Sequence, residues 1–199
     1  MPITRTTRLG TVLVTLTLAA VVSSGTLVAQ PQAPASPAVP AVGQKAPEFS
    51  LTAVDGTPVS LTAMLRRGPV VLVVGRGYPG YQCPFCTRQF GEIRSRAKDF
   101  EARGATVLWI YPGAGDEVKK RAEEFAGAAE LPASIRLLVD PGYRFTTTYG
   151  LRWDAPKETA YPATFVIDRG GIVRYALVSR EHGGRAPIAD VLAALPAPK

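Results

Sequence analysis

The stretch Pro69-Val-Val-Leu-Val-Val-Gly75 constrains the fold more than any other part of this chain. It is apolar throughout and bounded by Pro and Gly. A strand with one wet face alternates apolar and polar residues. An unbroken apolar run of this length is a strand buried on both faces. The sheet that contains it must be covered by helices on both sides.

The rest of the domain supplies those layers. Phe49–Leu51 and Pro58–Leu61 flank the turn dipeptide Asp55-Gly56, which predicts a small hairpin. After the central run, Phe90, Ile93, Ala97 and Phe100 recur at helical spacing, and Gly104 suits the residue past a helix end. Ala105–Tyr111 is a second buried strand. Asp116 caps a helix with an inner face of Val118, Ala122 and Phe125. Ile135–Val139 is a third strand, followed by a short helix around Tyr143–Tyr149. Ala163–Asp168 and Ile172–Val178, joined by Arg169-Gly170-Gly171, form a second hairpin, and Pro187 opens a last helix that runs to about Leu195. Strands alternating with helices pair in parallel, and the late hairpin adds antiparallel strands. The expected class is α/β, a mixed central β-sheet flanked by helices, with an N-terminal β-hairpin extension.

Of 199 residues, about the first forty stand apart. Arg5 and Arg8 precede the charge-free apolar stretch Leu9–Ala29, which ends in small residues. That is the order of a secretory signal peptide, and its length also suits an uncleaved membrane anchor. Residues 1–29 are therefore read as a signal peptide or anchor, and the remainder as exported, periplasmic or otherwise extracytoplasmic. Residues 30–43 are a Pro/Ala-rich linker. Pro31, Pro34, Pro37 and Pro40 repeat every third residue, so a polyproline II spacer would align them on one face. The folded domain is expected over 44–199.

The net charge is +7, of which Arg5 and Arg8 carry two, leaving +5 for the rest. No basic run exceeds Lys119-Lys120-Arg121, which argues against a nucleic-acid partner.

Cys83 and Cys86 are the only cysteines, spaced C-x-x-C where a strand and loop lead into a helix. A thiolate is the reactive form of cysteine, and the unpaired N–H groups at a helix N-terminus stabilise it. With two residues between them, one sulfur attacks and the other resolves the mixed disulfide. A permanent bridge is the alternative, but closing so small a loop removes little chain entropy. A metal site would need more ligands, and the single histidine, His182, lies far along the chain. No metal and no cofactor is expected. A copper-handling role would require His182 to fold back on the cysteines.

Phe49-Ser-Leu, Asp55-Gly56, the strand to Arg76-Gly77, the cysteine pair and Thr164-Phe-Val-Ile-Asp-Arg-Gly-Gly together resemble the thioredoxin superfamily. Within it they are most similar to the peroxiredoxin-like group, the alkyl hydroperoxide reductase/thiol-specific antioxidant (AhpC/TSA) family. The resemblance spans roughly 45–196 and implies a thioredoxin fold. Pro79-Gly-Tyr-Gln-Cys83-Pro-Phe-Cys86 fits the spacing of the family's Pro-x-x-x-Thr-x-x-Cys motif, with Cys83 in place of Thr. That match puts Cys86 in the peroxidatic position. The thioredoxin match instead makes Cys83 the attacking thiol and Cys86 the resolver. An arginine commonly precedes the strand corresponding to Thr164–Asp168; here Tyr161-Pro162 resembles the cis-proline loop of disulfide reductases. A cis bond at Pro162 would turn the backbone towards the cysteines. Gln82 stands where a thioredoxin often has Trp.

Three functions follow. Peroxide reduction is placed first, with Cys86 attacking and Cys83 condensing to a disulfide that an external, thioredoxin-like dithiol reduces. Disulfide exchange on exported proteins, with Cys83 attacking, is second. A copper-handling assembly role is third. Arg76 is the expected supporting cation, able to lower a thiolate pKa or hold a peroxide oxygen. Tyr78, Tyr81 and Phe85 form an expected aromatic collar, and Arg88 is expected in solvent. The positions of Arg152 and Trp153 relative to the site are left open. The run Pro69–Gly75 holds no carboxylate, so proton transfer is left to solvent.

Overall fold

The computed structural model describes Met1, Pro2 and residues 38–198. The expected signal or anchor segment beyond Pro2, and the proline-spaced stretch as far as Pro37, lie outside the described residues. No helix among the described residues is long and apolar enough to cross a membrane.

Within the unit Ala35–Lys199 the chain forms β1 (Ser50–Ala53), β2 (Pro58–Ser60), α1 (Leu61–Arg67), β3 (Val70–Val74), α2 (Pro84–Ser95) and α3 (Ala97–Ala102). It continues with β4 (Thr106–Gly113), α4 (Glu117–Ala126), β5 (Ile135–Pro141), α5 (Arg144–Thr148), β6 (Ala163–Ile167), β7 (Val173–Val178) and α6 (Ile188–Ala193). The strands make one sheet in the order β2-β1-β5-β4-β3-β6-β7. β3, β4 and β5 run parallel, while β6 is antiparallel to β3 and β7 to β6. β1 is antiparallel to both β2 and β5. This is the mixed α/β sheet expected from the sequence, hairpin extension included.

β3 is buried along its whole length. Successive side chains of a strand point to opposite faces. Val71 and Val73 accordingly join Phe90, Phe100 and Trp109 on one side. Val70, Leu72 and Val74 join Phe49, Phe145 and Phe165 on the other. The unbroken apolar run is thus explained by two cores on one strand.

Two local expectations are corrected. The segment after β2 is a helix, α1, where none was expected. Ser60 caps it, its Oγ accepting the Ala63 N–H at 3.2 Å. Seven residues give too few turns for a helical period to stand out. The single helix expected across Phe90–Phe100 is two, broken at Arg96 (φ −105°, ψ 16°). Just before the break Ser95 Oγ donates to the Glu92 carbonyl at 2.7 Å, a local bond that competes with the helix ladder. The bend still lets Ala97 and Phe100 follow Phe90 and Ile93 into one core.

At the start of the domain, Gly43 N–H donates to the Val173 carbonyl at 2.8 Å and Val173 N–H to that of Gln44 at 2.9 Å. The strand order places β3 between β4 and β6, so the loop leaving its carboxyl end has structure on both sides.

Candidate active site

From β3 the chain passes through Gly75–Gln82 into α2. Gly77 has φ +66°, and a Cβ there would run into the Pro112 carbonyl oxygen of β4. Only glycine lets the loop turn this close to its neighbouring strand. Cys83 is the N-cap of α2 and Pro84 its first residue, a position that needs no N–H. Cys86 falls in the first turn, where the helix is electropositive. The expected strand–loop–helix setting is the one found.

Both thiols are reduced and buried, at 1% and 3% exposure. The Arg76 backbone N–H donates to Cys86 Sγ at 3.3 Å. Arg185 Nη2 donates to the same sulfur at 3.2 Å and lies 3.8 Å from Cys83 Sγ. One guanidinium nitrogen therefore serves both sulfurs. Cys83 is pushed down to about 5, first by the hydrogen bond from the Cys86 thiol, with Arg185 and then Arg76 adding charge. Cys86 is held well above the ordinary thiol value by the proton it shares and by burial. The first ionisation belongs to the pair, which carries one negative charge readily and two with difficulty. The proton the pair shares favours the charge on Cys83, while the fixed donors, the Arg76 N–H and Arg185 Nη2, lie closest to Cys86. Moving the shared proton to Cys83 delivers the charge to the sulfur that the Arg76 N–H and Arg185 Nη2 already contact.

Arg185 was not among the residues singled out from the sequence. It sits on the loop between β7 and α6. Its Nη1 donates to the carbonyls of His182 at 2.9 Å and Gly184 at 2.6 Å. Gly183 lies against the Phe85 ring, so the loop folds over the start of α2. An arginine is thus present beside the sulfurs although none precedes β6.

Arg76 is 1% exposed. Its guanidinium turns from the sulfurs to Tyr81 Oη at 2.8 Å and Glu158 Oε2 at 2.5 Å. Its main chain, not its side chain, touches a thiol. The strand-end backbone points N–H at Cys86 and sends the side chain towards the loop before β6. The other carboxylate oxygen of Glu158, Oε1, lies 2.9 Å from His182 Nε2. The His182 ring is therefore held on a carboxylate rather than folded onto the cysteines. Among the described residues no group of three His, Cys, Asp or Glu is placed to hold a metal.

Pro162 is also corrected. No described peptide bond is cis. Tyr161-Pro162 runs extended into β6, and the Pro162 carbonyl accepts the Ser179 N–H at 2.9 Å, continuing the pairing with β7.

Tyr81 and Phe85 are exposed at 47% and 38% and flank the pair, whereas Tyr78 is half-buried beneath the Arg121 guanidinium at 4.5 Å. Pro79 is half-buried in the same loop, and Arg88 is exposed, 5.9 Å over Phe85. Gln82, in place of Trp, accepts the buried Tyr111 hydroxyl at 2.7 Å. Trp153 does reach the site: it stacks on Tyr161 at 4.7 Å, and Arg76 lies 5.8 Å from its ring. Arg152 stays behind it and ties down the loop through the carbonyls of Trp153 and Thr159 at 2.6 and 2.5 Å.

A central strand that hands a C-x-x-C pair to the first turn of a helix, within a mixed sheet of this order, defines the thioredoxin-fold class of thiol proteins. The AhpC/TSA family model matches residues 42–176, and the chain belongs to that family. Chloroplastic peroxiredoxin Q of Oryza sativa subsp. japonica is 33% identical over 133 residues, 67% of this chain and 57% of the rice protein. Chloroplastic peroxiredoxin Q of Arabidopsis thaliana is 33% identical over 132 residues, 66% of this chain and 56% of that protein. The chain thus spans less than two thirds of the length of these plant relatives. The crystal structure of peroxidoxin BcpB from Mycobacterium tuberculosis superposes with a TM-score of 0.61 at 25% identity, covering 77% of this chain and 94% of that one.

Proposed function

We propose that this chain is an exported thiol-dependent peroxidase of the peroxiredoxin-like class, cycling Cys83 and Cys86 between dithiol and disulfide. The observation that carries the reading is the shared donor: Arg185 Nη2 lies 3.2 Å from one sulfur and 3.8 Å from the other. Family membership supports the choice of peroxide as oxidant.

With the shared proton on Cys83, the Cys86 thiolate attacks one oxygen of a hydroperoxide. The O–O bond breaks, Cys86 becomes a sulfenic acid, and the leaving alkoxide takes a proton and departs as an alcohol, or as water from hydrogen peroxide. Cys83 then attacks the sulfenic sulfur, the S–S bond forms, and the oxygen leaves as water. An external thioredoxin-like dithiol exchanges with the disulfide, is itself oxidised, and restores both thiols. Arg5, Arg8 and the apolar stretch Leu9–Ala29 support export of the domain.

One observation favours a second reading. The hydrogen bond from the Cys86 thiol lowers Cys83 to about 5, which favours Cys83 as the sulfur that carries the pair's first charge. In disulfide exchange Cys83 would attack a protein disulfide directly and Cys86 would release the reduced product.

Stopped-flow measurement of thiol loss after one equivalent of hydrogen peroxide separates the two. Peroxidase chemistry gives loss far faster than for free cysteine, abolished in Cys86→Ser and stopped at the sulfenic acid in Cys83→Ser. Loss no faster than for free cysteine overturns it in favour of disulfide exchange.

A further inference from the structure

Two arginines contact the thiol pair, Arg76 through its backbone N–H and Arg185 through its guanidinium. Arg76, from the end of β3, is fully buried, and a buried cation needs a partner. Glu158, on the loop before β6, supplies it at 2.5 Å with a side chain only 12% exposed. The other oxygen of the same carboxylate holds His182 Nε2 at 2.9 Å. His182 belongs to the loop that carries Arg185, and its carbonyl accepts Arg185 Nη1 at 2.9 Å. The contacts close on themselves. Arg185 reaches Cys86 Sγ, and Cys86 Sγ accepts the N–H of Arg76. Glu158 is the one carboxylate in this ring. Arg76 also donates to the Tyr81 hydroxyl at 2.8 Å and to the Lys157 carbonyl at 3.4 Å. The Trp153 ring packs on His182 at 5.1 Å, and Arg152 fixes the Glu158 carbonyl at 3.2 Å.

We propose that Glu158 is the positioning residue of the thiol pair: it neutralises Arg76 and, through His182, holds the loop that presses Arg185 against both sulfurs. The carboxylate thereby decides which arginine the reacting sulfur meets. This rests on the reading that the cysteine pair is the reactive centre. Glu158 itself touches neither sulfur.

The test is the pH dependence of iodoacetamide alkylation of the reduced full-length chain, in the parent, Glu158→Gln and His182→Ala. Glu158→Gln keeps the acceptor oxygen for Arg76 and offers an N–H to His182 in its Nδ1-protonated tautomer, while removing the charge. Arg76 is then uncompensated, the profile moves to lower pH, and alkylation on its acid limb rises severalfold. His182→Ala cuts the link to the loop and leaves Arg76 paired. Arg185 loosens, the profile moves to higher pH, and alkylation on the acid limb falls by about tenfold for each pH unit of displacement. A merely structural role would not displace the two variants in opposite directions. Profiles superimposable on the parent, or displaced the same way, overturn the proposal. Should Glu158→Gln not fold, His182→Ala, at a half-exposed side chain, decides alone: displacement to higher pH supports the proposal and no displacement overturns it. Alkylation needs no peroxide, so a displaced profile in a chain that does not consume peroxide would sink the peroxidase reading and leave this one standing.

Discussion

Arg185 Nη2 lies 3.2 Å from Cys86 Sγ although 99 residues separate the two in sequence. The sheet makes the meeting. β6 lies beside β3 and β7 beside β6, so the chain leaving β7 returns over the start of α2. No carboxylate pairs with Arg185 among the described residues, and its bonds go to carbonyls and sulfurs. Its full charge is available to a thiolate.

Arg185→Met should therefore raise the pKa of the pair. An adjacent cation favours the ionised form of an acid. The expected outcome is a thiolate absorbance that appears at higher pH, and a reaction rate near pH 6 lower by about tenfold. An unchanged absorbance titration would assign the low pKa to the helix N-terminus and the shared proton alone.

Stability should follow the same ionisation. Cys83 is held at about 5 against 9.0 for an unperturbed thiol. A depressed acid stabilises the fold fully above the unfolded value and loses that contribution as pH falls through the folded one. The reduced protein should gain thermal stability between pH 5 and 9, relative to the Cys83→Ser/Cys86→Ser double variant. Cys86, held above its ordinary value, works against stability only beyond that window. Melting temperatures of the two proteins across this range, measured under reducing conditions, check it. A constant difference would contradict the assignment.

Gly77→Ala should destabilise the fold by about 2 kcal/mol or more. The site has φ +66°, and the added methyl would meet the Pro112 carbonyl. Relief would require the loop to lift from β4, carrying the Arg76 N–H away from Cys86. Denaturant midpoints give the stability, and thiol alkylation should slow in the same variant.

Phe90→Ala should cost about 3–5 kcal/mol. Phe90 is 3% exposed, packs edge-on to Trp109 at 5.0 Å and lies 4.9 Å from Phe125. It sits one turn beyond Cys86 on α2, so the loss seats the active helix less firmly. Urea unfolding followed by Trp fluorescence measures it directly.

Much of this arrangement is legible in the chain itself. β3 is recognisable because burial on two faces leaves no polar position, and the Asp55-Gly56 turn marks the first hairpin. The cysteines sit at a helix start because Pro84 and the apolar period after it say so. α1 and the break at Arg96 were less legible. A two-turn helix barely shows a period, and Ser95 bonds backward to a carbonyl in a way that its residue type permits but does not require.

Sequence by itself determined the strand and helix order, the C-x-x-C pair at a helix N-terminus and the family motif around Pro79–Cys86, since each rests on forces acting within a few residues. Tertiary structure alone decided which cation meets the sulfurs. Arg76, at the end of the strand that leads to the cysteines, is turned aside by Glu158, and Arg185 takes the place beside the thiols. Long-range electrostatic partners are set by strand order and by the direction in which each side chain leaves the sheet. Neither leaves a period or a spacing in the sequence to be read.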